Sequence, residues 1–292
     1  MLISQLFNNI TVVTVTHNSE NVITSFLDSL DQRFNLCVID NASKDNTKSI
    51  LKKAKHKNLK LFFNKKGLGF GTAANIGIRK SKTKYILLIN PDTKVDLSSV
   101  LKLFEASKKY TNAAILSPMH KNNDGKVHLP TKPFFYNGKK DLLNYENFSG
   151  DCSVEHLSGA IMLLNREKVI KIGMFDENFF LYYEDDDLCI KSRNNGFENI
   201  LVFNTVVEHF AGGSIGPATI ENQWEKFVNM SFSRCYIEKK YFGNFKANKI
   251  SISIMLKSII KLLGHLMTLQ FNKTLKDLAH FHGAMIFILR IR

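Results

Sequence analysis

The 292-residue sequence predicts an α/β protein built on a doubly wound sheet. Three observations predict it. Short runs rich in β-branched and aliphatic residues, at 10–16, 36–39, 59–63 and 85–89, alternate with stretches of helical character. The runs are largely apolar on both faces, as strands covered by helices on either side must be. Each is followed by Asn, Asp, Ser or Pro, residues of the loops at strand carboxyl ends, where such sheets bind ligands.

In order, residues 10–16 form the first strand, His17, Asn18 and Ser19 end it, and a helix covers 19–30. The second strand stops at Asp40 and Asn41, and Ser43 and Asp45 bring N-cap chemistry to a Lys-rich helix over 47–56. After the third strand comes a loop with Gly67, Gly69, Gly71 and Gly77. Its spacing is neither G-x-G-x-x-G nor a P-loop. Its small residues Ala73, Ala74 and Gly77 predict a helix packed closely on a neighbour. The fourth strand, 85–89, runs into Asn90, Pro91 and Asp92; proline cannot continue a central strand, so Asp92 stands at the carboxyl end. Two readings fit Asp92: an Asx turn, or a hard carboxylate placed to hold Mg²⁺ or Mn²⁺ on a diphosphate.

A helix over 96–110 and a short strand over 113–116 follow. Residues 120–150 lack a clear period and read as an irregular excursion. A strand over 156–164, a short helix over 166–171 and a turn at 173–177 lead to Glu184, Asp185, Asp186 and Asp187. These four acids separate an aromatic run from an apolar one and sit in the first turn of a helix, where negative charge suits the macrodipole. They are either a solvated helix start or carboxylates held at a pocket floor, the setting of a general base. A strand over 199–204 leads to His209, which precedes Gly212, Gly213 and Ser214, a loop open to close approach by a phosphate.

Net charge is +14, concentrated at the C-terminus, where residues 239–292 hold ten Lys or Arg against one acid, Asp277. Helices are expected over 224–242, over 250–267 with Lys257, Lys261 and His265 on one stripe, and over 278–291 with Arg290 near its end and Arg292 beyond. Such basic amphipathic helices either lie in a membrane interface or pack on protein. Cys37, Cys152, Cys189 and Cys235 show no metal spacing and read as reduced thiols. Neither an export signal nor an uninterrupted apolar run of transmembrane length is visible, so the expected location is cytoplasmic, at the inner face of the cell membrane. No nucleic-acid-binding motif accompanies the charge, so nucleic acid is not an expected partner.

Taken in order, residues 12–18, 38–43, 64–77, 88–93, 157–160, 173–177 and 180–187, with His209, resemble the family 2 glycosyltransferases of the GT-A fold, and among them the rhamnosyltransferase-like group. The resemblance spans roughly residues 9–215. It implies a GT-A catalytic domain over 1–215, a Rossmann-like mixed sheet flanked by helices, followed by a basic helical extension over 216–292. It further implies an inverting transferase taking a sugar from a nucleotide-sugar donor, dTDP-rhamnose or a UDP-sugar, to a saccharide or lipid-linked acceptor of a cell-surface polysaccharide. Asp40 resembles the acid that pairs with the pyrimidine base; Thr16 and Asn18 would lie near the nucleoside; Gly69 and Asn75, with Arg79, would line the donor. Asn90, Pro91 and Asp92 occupy the place of the family's Asp-x-Asp motif with Asn in the first acidic position, as in the rhamnosyltransferase-like group. Asp92 and His209 would hold Mg²⁺ or Mn²⁺, Asp185 matches the catalytic base, and Glu184 and Asp187 lie on the acceptor side. Residues 250–292 offer a peripheral membrane contact. The alternative is a catalytically degenerate nucleotide-sugar-binding or scaffold protein; retention of Asp92, Asp185 and His209 argues against it.

Overall fold

The computed structural model describes residues 2–121, 125–128, 149–209 and 219–289. Most of the 120–150 excursion, the Gly212, Gly213 and Ser214 loop, and Arg290 and Arg292 lie outside them.

Helices α1 (Leu2–Asn9), α2 (Ile23–Ser29), α3 (Thr47–Lys53), α4 (Phe70–Lys80), α5 (Leu97–Lys109), α6 (Arg166–Lys171) and α7 (Glu184–Asn194) alternate with strands β1 (Ile10–Thr16), β2 (Asn35–Asp40), β3 (Leu59–Phe63), β4 (Tyr85–Ile89), β5 (Thr93–Lys94), β6 (Ala113–Lys121), β7 (Val127–His128), β8 (Cys152–Ser153), β9 (Ile161–Asn165) and β10 (Glu198–His209). The sheet order is β3-β2-β1-β4-β9-β6-β10-β5, with β7 on β6 and β8 on β10. Strands β1 to β4 are mutually parallel, while β9 runs antiparallel between β4 and β6, so the sheet is mixed.

Successive residues of a strand face opposite sides, and the core divides accordingly. Val12, Leu36 and Leu87 pack with Phe26, Phe34 and Phe104 on one side; Val13, Ile39 and Leu88 pack with Ala74, Ile78 and Phe175 on the other. The second side admits α4 closely because Gly77 has no side chain: an added Cβ would lie 2.4 Å from Val13 Cγ1 and 2.9 Å from Ile39 Cδ1.

Several elements differ from the sequence expectation. The strand expected over 156–164 starts only at Ile161, because the residues before it form a loop tied to α7, described below. The last strand runs on to His209 through an irregularity between Val202 and Val206, with Asn204 at φ 58°, because pairing with β6 resumes beyond it. Helix α1, unanticipated, anchors through buried Leu6 and Phe7.

Residues 1–177 and 185–216 form one compact unit; residues 178–184 and 217–292 form a second. In the second, α8 (Ile220–Met267) is broken at Gly243, whose φ of 82° and ψ of 174° leave helical space, and α9 (Phe271–Leu289) packs along it. The segment 178–184 is held by α8: Ser233 Oγ donates to Leu181 O at 2.9 Å, and Phe179 meets Tyr236 edge to face. Between the second half of α8 and α9, His265 Nδ1 meets the buried Asp277 Oδ2 at 2.6 Å. Ala247, Ser251 and Ser258 are buried on α8, as are Ala279, Gly283 and Ala284 on α9, and Ser251 Oγ donates to Ala284 O at 2.8 Å. Large aliphatics, Leu256, Ile259, Ile260, Leu263 and Met267, point outward. An 18-residue window of α8 is long and apolar enough to cross a membrane, and 11% of that window is buried. The helix carries Lys257 and Lys261, so this length and apolarity are reached without an uninterrupted apolar run.

Candidate active site

The first part of the site is built where β1 and β2 end side by side, Thr16 opposite Asp40. Thr16 Oγ1 donates to Asp40 Oδ1 at 3.2 Å, the Ser43 N–H donates to Oδ2 at 3.1 Å, and Lys48 Nζ lies 3.8 Å from Oδ2. The Asp40 side chain is wholly buried. Asn18 takes a positive φ of 51° and accepts from the Lys44 N–H at 2.8 Å, while its own N–H donates to Ser43 Oγ. Asn41 ties this edge to the glycine loop: its Oδ1 accepts from the Leu68 N–H at 2.9 Å and from Asn64 Nδ2 at 3.1 Å. The sequence reading placed no role on Asn41. Its tie to a residue 27 positions onward is visible only in three dimensions.

Gly69 ends that loop and caps α4 at φ 84° and ψ 163°, backbone space that glycine alone enters without strain. The sequence reading put Asn75 beside the donor. The structure buries it and closes its amide on a turn: Nδ2 donates to Phe175 O and Glu177 Oε1, and Oδ1 accepts from the Phe175 N–H. Arg79 pairs with Glu177 at 2.9 Å near the surface.

Asp92 and His209 are brought together by the sheet edge. The turn after β4 is closed by a Thr93 N–H bond to Asn90 O, and β5 then pairs with β10 so that Thr93 lies opposite His209. Asp92 Oδ1 and His209 Nε2 end 3.7 Å apart, longer than a hydrogen bond. Burial lowers the His209 imidazole below its ordinary pKa, with the Asp92 charge opposing it, so the ring is neutral and able to ligate at neutral pH. At that separation both side chains could ligate one divalent ion. No group of three or more His, Cys, Asp or Glu able to hold a metal occurs among the described residues. His120, also buried, meets the His209 ring edge to face at 5.6 Å.

The acidic run opens α7. Asp185 is fixed through both oxygens: Oδ2 accepts from the Gly159 N–H at 3.1 Å and Oδ1 from the Asp186 N–H at 3.0 Å. Part of its side chain remains exposed, 17%, against 1% for Asp186 and none for Asp187. Asp187 pairs with Lys191 one turn on, at 3.3 Å, and Glu184 is buried at the helix start. The neighbouring dipeptide joins this helix to the Asp92 turn: Gly159 binds Asp185, and Ala160 O accepts from the Asn90 N–H at 2.9 Å. His156 faces the same carboxylates, Nε2 at 4.0 Å from Asp185 and Nδ1 at 3.7 Å from Asp186. The sequence reading passed over it as part of a strand.

A family model described as glycosyl transferase family 2 matches residues 11–173, more than half of the chain. The N-acetylglucosaminyl-diphospho-decaprenol L-rhamnosyltransferase of Mycobacterium tuberculosis is 26% identical over 237 residues, 70% of this chain and 77% of that one. Among solved structures, S. aureus TarS 1-349 in complex with UDP-GlcNAc superposes with a TM-score of 0.59 at 13% identity, over 97% of this chain and 92% of that one. The mannosyltransferase PcManGT from Pyrobaculum calidifontis in complex with GDP-Man and Mn2+ does so at 0.57 and 12% identity, over 97% and 88%. At these identities the structural likeness speaks to the fold, a mixed sheet flanked by helices with a helical C-terminal extension.

Proposed function

The chain belongs to glycosyl transferase family 2, in its rhamnosyltransferase-like group, and we propose that it transfers rhamnose with inversion from dTDP-rhamnose to a saccharide or lipid-linked acceptor of a cell-surface polysaccharide. A UDP-sugar is the second donor class. One observation carries the reading: the dipeptide Gly159-Ala160 bonds both to the Asp185 carboxylate and to the turn bearing Asp92, so a proton acceptor and a phosphate-side carboxylate are built into one framework.

Thr16, Asn18 and Asp40 form the nucleoside end, and the loop at Gly69 lies along the donor, supported from beneath by Asn75 and its turn. Asp92 and His209 would hold Mg²⁺ or Mn²⁺, which when bound would offset charge growing on the leaving diphosphate. Asp185, partly exposed and fixed by two backbone N–H groups, takes the proton of the acceptor hydroxyl as its oxygen attacks the anomeric carbon. The C–O bond to the diphosphate breaks as the new one forms on the opposite face. Asp187, paired with Lys191, anchors the start of α7 on the acceptor side, with Glu184 preceding the base.

The C-terminal helices supply a second part of this reading: a peripheral contact with an anionic bilayer at the cytoplasmic face. Helices in water bury large side chains between them and leave small ones outside. Here Ala247, Ser251, Ser258, Ala279 and Ala284 are buried together with the His265–Asp277 pair, while Leu256, Ile260 and Leu263 stay exposed, an outer face that lipid would solvate. Lys257 and Lys261 on the same helix match anionic headgroups.

A donor panel by thermal shift tests the enzymatic reading. Stabilisation by one thymidine or uridine sugar, abolished by chelation, is expected; a ligand at a hundred times its Kd adds about 2.7 kcal/mol. A cooperatively melting protein that no nucleotide sugar stabilises would return the degenerate scaffold to first place.

A further inference from the structure

His156 occupies a built position. The loop that carries it is clamped on both sides. Asn199 Nδ2 donates to Glu155 O at 3.3 Å and to Cys189 O at 3.1 Å, and Cys189 Sγ receives the Leu157 N–H at 3.4 Å. The imidazole is almost wholly buried, and its Nδ1 makes no hydrogen bond. A buried ring left without that bond is costly, and such costs concentrate where function needs the group. Among the described residues, the carboxylates within 4 Å of it are those of Asp185 and Asp186 on α7. Asp185 already receives two backbone N–H bonds. Asp186 is the more deeply buried carboxylate and lies closer to the ring, so the single N–H of a neutral imidazole belongs on Nδ1, facing Asp186. That leaves the Nε2 lone pair facing Asp185.

We propose that His156 is a positioning residue for the transfer: its Nε2 accepts the hydrogen bond of Asp185 once that carboxyl group has taken the acceptor's proton. The inference rests on Asp185 being the base. The proton passes from the acceptor oxygen to Asp185 and stays there; the imidazole gains no proton and only receives the O–H. A carboxylate accepts a proton more readily when its protonated form has an acceptor waiting. Nε2 at 4.0 Å needs an approach of about 1 Å to reach hydrogen-bond distance, a closing motion that commonly accompanies substrate binding. Burial lowers the imidazole below its ordinary pKa, against the pull of Asp185, and so keeps it neutral at neutral pH. Once protonated in acid, the ring would present N–H instead of a lone pair and oppose the transfer.

Three variants of the full chain test this, with turnover, donor affinity and the pH profile read on each. His156→Phe, which fills the space without a lone pair, should lower kcat about 10–100-fold and leave donor Kd within about twofold. His156→Gln, whose amide offers both donor and acceptor, should recover most of the lost kcat, and its activity should no longer carry the acid inflection due to the imidazole. In wild-type protein, ¹⁵N shifts should report the Nδ1–H tautomer. Wild-type kcat and an unchanged pH profile in His156→Phe would overturn the proposal. So would equal loss of kcat in the Phe and Gln variants with cooperative melting retained. Asp185→Asn separates the two claims: full activity there removes the base assignment itself, whereas an inactive Asp185→Asn beside a fully active His156→Phe removes only the role of His156.

Discussion

Asp92 Oδ1 lies 3.7 Å from His209 Nε2 because β5 and β10 are registered with Thr93 opposite His209. A buried carboxylate and a neutral imidazole held at that separation are the pair proposed above to hold one divalent ion. His209→Ala and Asp92→Ala should each weaken Mn²⁺-dependent donor binding, about 10–100-fold by titration calorimetry. Binding measured with the metal chelated should change little. Equal affinity of wild type and both variants in the presence of Mn²⁺ would remove the pair from the metal site.

Asp185 should govern chemistry more than binding. An Asp185→Asn change keeps the size of the side chain and removes the proposed base, so turnover should fall about 10²–10⁴-fold while donor affinity is preserved. Steady-state rates paired with a binding isotherm decide it; proportional loss of both would mean that the residue binds donor instead.

Gly77 is a packing position. Alanine in its place gains about 1 kcal/mol of helix propensity. The new methyl, however, must displace Val13 Cγ1 from 2.4 Å in a fully buried layer, and overpacking of this kind costs about 1–3 kcal/mol. The steric term is the larger, and Gly77→Ala should lower the urea midpoint by an amount equivalent to up to about 2 kcal/mol.

Stability should depend on pH through buried imidazoles. Burial lowers His56, with Asp31 opposing, and lowers His156, with Asp185 opposing, below the ordinary value of 6.5. Between 6.5 and their folded values the unfolded chain therefore binds more protons than the folded one, and stability rises with pH across that window. Melting temperature should be level above about pH 7 and fall as pH drops below 6.5. The His156→Gln protein should show a shallower fall. A melting temperature that rises between pH 6.5 and 5 contradicts the sign.

The outward aliphatics of α8 should carry membrane contact. Replacing Leu256, Ile260 and Leu263 together by Ser should cut sedimentation with phosphatidylglycerol vesicles about tenfold or more, since each aliphatic adds about 1.5–3 kcal/mol when buried. The same change should leave the melting temperature nearly intact, because these side chains are exposed in the protein. Undiminished vesicle binding would assign this face to a protein partner.

The alternation of buried strands and helices, the carboxyl-end positions of Asp40 and Asp92, and the acids in the first turn of α7 were all legible in the chain. Each depends on local periodicity or on residues a turn apart. Gly77 was legible as a close approach for the same reason: a small residue in a helix has few other uses.

Other features exist only through contacts between distant residues. The meeting of Asp92 with His209 needs β10 to continue beyond its irregularity and pair with β5. The role of Asn41 needs the glycine loop to fold back onto it. A histidine in an apolar stretch reads as core until α7 sets two carboxylates against it, and no periodicity records that placement. The sequence alone determined the class of fold and the family to which the chemistry belongs, because patterning and ordered motifs are properties of the chain in one dimension. Tertiary structure decided which charged and polar side chains meet, because those energies depend on separations of a few ångströms between residues far apart in sequence.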